Sequence, residues 1–456
     1  MSEFNILTPC CQPSDETQEN TFIYNKLPIA IVGAGPVGLA AAAHLIQYKQ
    51  KVILLEAGTE VGANILTWKH IRLFSQWKYN IDKAASSLLE KYKWEKPNLE
   101  EIPTGKELVE KYLIPLSKIP EIQEVLALNT KVISIAKKNI DKLKTANREN
   151  VPFVIYTEHK GSIQAIEAKA IIDATGTWGN PNPANSNGVW IQEEKNLKDK
   201  IFYGMPDILG DSINRYKNKK VAVIGSGHSA INALLELGTL KEMNPQTEIV
   251  WIIRKERVEE AYGGEEKDAL EARGILGSRI HELVDKGMVQ VYTSFRVEQL
   301  KESDQSTLNI NGEVKGEKYS IELIEEAIVN TGNRPNYSFL SELRTKIDFA
   351  TESVEAISSL IDPNLHSCGT VRPHGEKELR QPEKNLYIVG SKSYGRAPTF
   401  LMATGYEQVR SIAAFIAGDI ESSEKVELDL PETGVCSVNL LNTNRNNSCD
   451  TDSCCS

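Results

Sequence analysis

Ile29-Ala30-Ile31-Val32-Gly33-Ala34-Gly35-Pro36-Val37-Gly38-Leu39-Ala40 reads as a short apolar strand, a glycine turn and the start of an alanine-rich helix. Gly33 permits the tight turn. Gly35 has no Cβ, so a pyrophosphate can lie against the backbone. Gly38 lets the helix pack on the strand. The N–H groups of the first helical turn, with Pro36 and Val37 at its start, attract phosphate charge through the helix dipole. A second strand, Lys51-Val52-Ile53-Leu54-Leu55, ends in Glu56 with Ala57 beside it. A carboxylate about 20 residues past the glycines can accept hydrogen bonds from an adenosine ribose. The alternative, a glycine turn with no ligand, does not require the whole strand–turn–helix–strand–acid unit.

The pattern recurs at Lys220-Val221-Ala222-Val223-Ile224-Gly225-Ser226-Gly227-His228-Ser229-Ala230-Ile231-Asn232, with Ala230 at the third small position. The next strand, Glu248 to Ile253, ends in Arg254-Lys255 where the first unit has an acid. A cation there can meet a 2′-phosphate, so NADPH is expected rather than NADH. The alternative for Arg254 is a solvated surface charge. Two further strands end in Thr-Gly, at Thr175-Gly176 and Thr331-Gly332. Together these features describe a flavoprotein, with FAD on the first unit and a pyridine nucleotide delivering hydride from the second.

The expected fold is therefore α/β. An FAD-binding Rossmann-like domain (27–200 and 330–420, discontinuous) holds an inserted NADP-binding Rossmann-like domain (201–329) and small antiparallel crossover sheets. Residues 1–26 read as a flexible leader and 421–456 as a C-terminal extension with a cysteine-containing polar tail.

Composition narrows the function. A chain of 456 residues is long for one core, so two or three domains are expected. A net charge of −10 argues against a nucleic-acid partner. No apolar run approaches the roughly 18 residues of a membrane span. The polar, acidic N-terminus lacks a signal core, which points to the cytoplasm. The oligomeric state stays open. Of seven cysteines, Cys10 and Cys11 are adjacent, Cys368 and Cys436 stand apart, and Cys449, Cys454 and Cys455 crowd the end. No Cys-x-x-Cys pair occurs, so a redox dithiol beside the flavin is not expected.

Between the motifs, Trp68 to Asn80 is rich in aromatics. It reads as a loop that wraps a flavin or lines a channel, or as an interdomain loop with buried rings. Thr104 to Ile119 reads as a helix capped by Thr104. Lys131 to Lys137, carrying Val132, and Val151 to Glu158 alternate like half-buried strands. Leu386-Tyr387-Ile388-Val389-Gly390-Ser391 is read as the last FAD-binding strand, and Met402 to Ile416 as a helix whose N-terminal turn, with Thr404, faces the flavin.

On GAGPVGL with Glu56, DATG at 173–176, GSGHSA at 225–230 and TGNRP at 331–335, residues 27 to about 420 resemble two-dinucleotide-domain flavoproteins. Within them they resemble the class B flavin-dependent monooxygenases. That resemblance implies FAD, NADPH, molecular oxygen and a small-molecule substrate oxygenated through a hydroperoxyflavin. Flavin-containing and Baeyer–Villiger monooxygenases carry an F-x-G-x-x-x-H-type motif. Here the region is Phe202-Tyr203-Gly204-Met205-Pro206-Asp207-Ile208, without the histidine. Gly390-Ser391 stands where disulfide-reductase-type flavoproteins have Gly-Asp.

The stretch from His366 to Gly375, with Cys368, Arg372 and His374, and the stretch from Ser393 to Phe400, with Arg396, are the most individual parts. With Leu430 to Cys436 they resemble bacterial flavoproteins of metal- and arsenic-resistance clusters, including arsenical monooxygenases. Arg372, His374 and Arg396 are the residues expected near the flavin. Soft thiolates suit soft ions, and Cys454-Cys455 resemble the terminal pair of mercuric reductases. Cys368, Cys436, Cys454 and Cys455 are thus candidate metalloid thiols, the alternatives being a small buried residue for Cys368 and incidental tail cysteines. Leu430-Pro431-Glu432-Thr433-Gly434 matches a sortase signal without the apolar span such a signal needs. Two rival functions stay open: a reductase without oxygen insertion, and a soft-metal-binding or redox-sensing flavoprotein.

Overall fold

The structure, a computed structural model, describes residues 26–264, 271–362, 364, 371–397 and 400–428. Residues 1–25 of the leader, Cys368, Cys436, Cys449, Cys454, Cys455 and the Leu430–Gly434 stretch lie outside the described residues.

Two five-stranded sheets share one plan, and all their strands are parallel. The first has the order β16 (Leu386–Ile388), β7 (Ala170–Asp173), β1 (Ile29–Val32), β2 (Val52–Leu55), β3 (Leu126–Ala127). The second runs β8 (Ile201–Tyr203), β15 (Glu326–Val329), β9 (Lys220–Ile224), β10 (Glu248–Ile252), β11 (Gln290–Tyr292). In each, the strand before the glycine turn is central. The strand before Thr-Gly lies on one side of it and the strand before the acid or cation pair on the other. Both central strands are buried along most of their length, as parallel strands covered on two faces must be.

Two three-stranded antiparallel sheets accompany them. One is β4 (Lys131–Lys137), β5 (Phe153–His159) and β6 (Ser162–Ala168). The other is β12 (Phe295–Glu302), β13 (Leu308–Val314) and β14 (Glu317–Ile324). β5 starts at Phe153, two residues after the expected Val151, because Pro152 has no N–H for the ladder. The largest apolar core surrounds the first sheet. The second sheet has one core per face, and β12–β14 close one of them.

The helix expected over 104–119 is interrupted. Thr104 forms a capping box with Glu107, but Val109–Leu113 is a π turn before the helix resumes at Ile114. Pro115 is the cause. It lacks an N–H and its ring would strike the Lys111 carbonyl four residues back. That carbonyl accepts the Trp94 indole N–H instead, at 2.8 Å. No helix among the described residues is long and apolar enough to cross a membrane.

Candidate active site

The two glycine turns can be tested for a phosphate ligand by asking what each glycine faces. Gly33 has φ +100°, and a Cβ there would lie 2.8 Å from the Ala174 carbonyl oxygen. A Cβ on Gly38 would lie 1.8 Å from the Gly33 oxygen. Both glycines are therefore forced by packing of β1 against β7 and of the helix Pro36–Gln47 against the turn. Gly35, at the helix N-cap, has no atom within 4 Å of its Cβ position. Open space beside the N-cap is what a pyrophosphate requires.

The second turn repeats this. Gly225 has φ +135°, with the Asn330 oxygen 2.3 Å from its Cβ position. Gly227, the N-cap of the helix His228–Met243, again faces open space. Ala230 is fully buried where that helix packs on the sheet. The residues present fit two dinucleotides.

Glu56 stands beside the first turn. Its carboxylate accepts Ala34 N–H at 2.6 Å and Gly58 N–H at 2.7 Å. Ala57 next to it is exposed. Val132 packs against the first core from β4.

A cleft of about 830 Å³ gathers most of the second set. Gly225, Ser226, Gly227, His228 and Ser229 line one side, with Arg254 and Gly332. Ser391, Arg396, Trp178 and Phe74 also line it. Arg254 reaches a neighbouring groove of about 570 Å³ that also holds Ser226, Lys255 and Arg296. Lys255 donates to the Glu260 carbonyl, which leaves Arg254 as the cation of the pair that lines both spaces. Phe74 meets the His228 ring at 5.0 Å, and Trp178 meets Trp68 at 6.1 Å. The aromatic stretch thus divides its rings, since Trp77 is buried in the first core.

Thr-Gly loops link the two halves of the site. Gly176 lies against Ser391, whose Oγ is 3.3 Å from the Gly176 Cβ position. The two chain crossings between the sheets are bonded together. Asn182 N–H donates to the Gly332 carbonyl at 2.9 Å, Arg334 N–H to the Asn180 carbonyl at 3.0 Å, and the Thr331 hydroxyl to the Asn182 carbonyl at 3.0 Å.

The three residues expected near the flavin part company. Arg396 lines the cleft. Arg372 is exposed and paired with Glu378 at 3.3 Å. His374 is buried among Gln408, Tyr394 and the Arg372 backbone. Burial pushes its pKa below the usual histidine value. A neutral ring fits its bonds: Nε2 accepts from Gln408 and Nδ1 donates to the Arg372 carbonyl. Neither lines the cleft.

Gln408 organises this region. Its Oε1 accepts Gly390 N–H at 2.7 Å and its Nε2 reaches Ser393 Oγ at 3.0 Å. It thereby ties the helix Met402–Ala417 to the turn at Gly390, where φ is +69° and Val37 is the neighbour. Gly405 packs on Val37 as well, and Thr404 is buried in the same helix.

Sequence reading missed Lys392. Its ammonium meets Asp173 Oδ2 at 2.6 Å and Thr175 Oγ1 at 3.0 Å, under the rings of Phe339 and Tyr337. The available signal was two charges beside apolar strands, Asp173 ending β7 and Lys392 shortly after β16. Another groove, of about 900 Å³, lies around His44, Tyr48 and Arg410. It contains neither glycine turn, so the 830 Å³ cleft is the better candidate site.

Comparison with known proteins agrees with this geometry. The family model described as pyridine nucleotide-disulphide oxidoreductase matches residues 30–369. A ferredoxin–NADP reductase of Ligilactobacillus salivarius is 24% identical over 346 residues, 75% of this chain and 82% of that protein. Bacillithiol disulfide reductase Bdr of Bacillus cereus superposes with a TM-score of 0.62 at 19% identity, covering 86% of this chain and 99% of that one. DfoA of Erwinia amylovora, a cadaverine monooxygenase bound to FAD, gives 0.61 at 13% identity, covering 89% and 97%. The structural likenesses establish the shared fold.

Proposed function

The chain belongs to the pyridine nucleotide-disulphide oxidoreductase family, and from that premise we propose an FAD- and NADPH-dependent monooxygenase acting on a soft nucleophile. FAD, when bound, supplies the hydride acceptance and oxygen chemistry. The chain's residues bind and orient. Gly33, Gly35, Gly38 and Glu56 would hold the flavin dinucleotide along the first turn. Gly225, Gly227 and Arg254 would hold NADPH along the second, beside the cleft that Ser391 and Arg396 also line. Overall, NADPH, a proton, oxygen and substrate give NADP⁺, water and the substrate carrying one oxygen atom.

The observation that carries this reading is the cleft itself, together with what it lacks. Both crossings and one nucleotide turn open on it, yet no cysteine occurs anywhere between residues 12 and 367. A disulfide reductase that stores electrons on a resident dithiol has none to use in either nucleotide unit. Cys449 and Cys454 are spaced Cys-x₄-Cys, but in the C-terminal tail. A trivalent arsenical such as methylarsenite is the substrate we favour, with sulfur or nitrogen nucleophiles next, because thiols in that tail could deliver a soft ion.

A second reading has its own observation. Ile208, where the monooxygenase motif places histidine, is wholly buried. That suits a reductase passing electrons onward without oxygen insertion. The deciding experiment supplies NADPH, labelled ¹⁸O₂ and methylarsenite to the purified flavoprotein. Label in the arsenical product supports the monooxygenase. Flavin reoxidation with all oxygen recovered as peroxide, for arsenical, thioether and amine substrates alike, overturns it in favour of the reductase.

A further inference from the structure

A second constellation lies on the line where the two lobes face each other. His70 belongs to the aromatic stretch that follows the first nucleotide unit. Asp207 follows β8, and Glu236 is on the helix His228–Met243. One ligand atom from each lies within 4.8 Å of the others, and among the described residues this is the only histidine, cysteine and carboxylate group so arranged. The site is distinct from the cleft, which none of the three lines.

The bonding around these atoms leaves a gap that calls for a cation. Nε2 is the His70 nitrogen that faces the Glu236 carboxylate, and in the tautomer that leaves it unprotonated it carries the lone pair a metal needs. Nε2 is buried, has no hydrogen-bond partner and faces Glu236 Oε1 at 3.6 Å. That is too long for a hydrogen bond. It is close to the edge of a coordination tetrahedron with bonds of about 2.0–2.2 Å. Glu236 is oriented from behind, its other oxygen accepting Ile208 N–H at 3.1 Å. Asp207 is held by its own tight loop. Ser212 N–H bonds its carbonyl, and Gly210 passes so close that a Cβ there would strike the carboxylate. A carboxylate held by a backbone amide, as Glu236 is by Ile208, is an outer contact that metal ligands commonly have.

We propose that His70 Nε2, an Asp207 carboxylate oxygen and Glu236 Oε1 bind one divalent first-row metal ion, with the preferences of zinc, that fastens the two lobes together. One imidazole and two carboxylates neutralise the ion's charge, and a water completes four-coordination. The nearby Lys69–Asp211 pair, at 3.1 Å, adds no net charge.

The test titrates zinc into the full-length protein against a chromophoric chelator, after its thiols have been blocked with N-ethylmaleimide. His70→Ala and the near-isosteric Glu236→Gln are compared, their folding checked by circular dichroism. A single zinc site in the blocked wild type, weakened by more than about 100-fold in both variants, is the expected result. No zinc uptake by the blocked wild type overturns the proposal. Equal zinc affinity in wild type and both folded variants overturns it too.

Discussion

Lys392 Nζ and Asp173 Oδ2 are 2.6 Å apart with neither side chain exposed. They join the turn after β16 to the end of β7, the two strands that flank the Thr175-Gly176 loop. Asp173 Oδ1 meanwhile accepts the Thr175 N–H and hydroxyl, at 3.1 and 2.7 Å. The pair therefore sets the backbone on which the proposed flavin would rest. Burial and the Asp173 charge also push the Tyr337 phenol well above its usual pKa, so that ring stays neutral beside the ammonium.

Lys392→Met should cost about 3–5 kcal/mol, because Asp173 would keep a buried charge without its partner. The double variant Lys392→Met/Asp173→Asn should recover part of that loss, since the asparagine still accepts from Thr175. Urea unfolding of the wild type, both singles and the double measures the coupling. Strict additivity would mean the pair does not act as a unit.

Glu56→Ala should weaken FAD retention and lower stability together. The carboxylate satisfies two turn amides as it stands, and charge-assisted bonds contribute about 1.5–3 kcal/mol each. A roughly 10–100-fold rise in the FAD dissociation constant is expected. Flavin fluorescence on dilution reads it directly. Unchanged flavin affinity would place the ribose elsewhere.

Arg254→Ala should raise KM for NADPH by about 10–100-fold, the worth of one charge-assisted phosphate contact, and leave NADH kinetics nearly unchanged. Arg296 lines the same groove, so Arg254→Ala/Arg296→Ala should widen the gap. Equal losses with both nucleotides would mean that Arg254 orients something other than a 2′-phosphate.

The nucleotide units were legible because their constraints are local. Gly33 and Gly225 are required by a backbone that only glycine adopts readily, and strand, turn and helix follow within a dozen residues. The Thr-Gly loops carried the same local signal. Long-range partners were not legible. Lys392 and Asp173 are 219 positions apart, and His374 reads as catalytic until Gln408, 34 positions on, claims it as a buried acceptor. Pro115 stood in the sequence, yet a continuous helix was expected over 104–119; the π turn and the capture of the Lys111 carbonyl by Trp94 depend on a fold that brings residue 94 to residue 111.

Lys137 gives a pH test that is independent of any cofactor. It ends β4 almost wholly buried, and among the described residues its ammonium has no hydrogen-bond partner. It sits 3.9 Å from the centre of the Phe153 ring. Two of the charges that act on it are engaged with each other, Arg148 with Glu383 at 2.8 Å. Burial lowers the Lys137 pKa to about 8, Glu383 opposing the shift and Arg148 and Lys384 adding to it. The unfolded chain titrates at about 10.4. Below pH 8 the lysine is charged in both states and folding carries the full cost of burying it. Between pH 8 and about 10.4 the native protein releases its proton before the unfolded chain does, and the cost fades. The shift alone corresponds to about 3 kcal/mol, and the attraction of the ammonium to the ring face offsets about 1 kcal/mol of it. Lys137→Met should therefore be more stable than wild type by about 2 kcal/mol at pH 7. That margin should shrink steadily as pH rises and vanish by about pH 10.5. Urea unfolding of both proteins at pH 7, 8.5 and 10 measures it, and a margin that does not change with pH would mean that Lys137 is solvated.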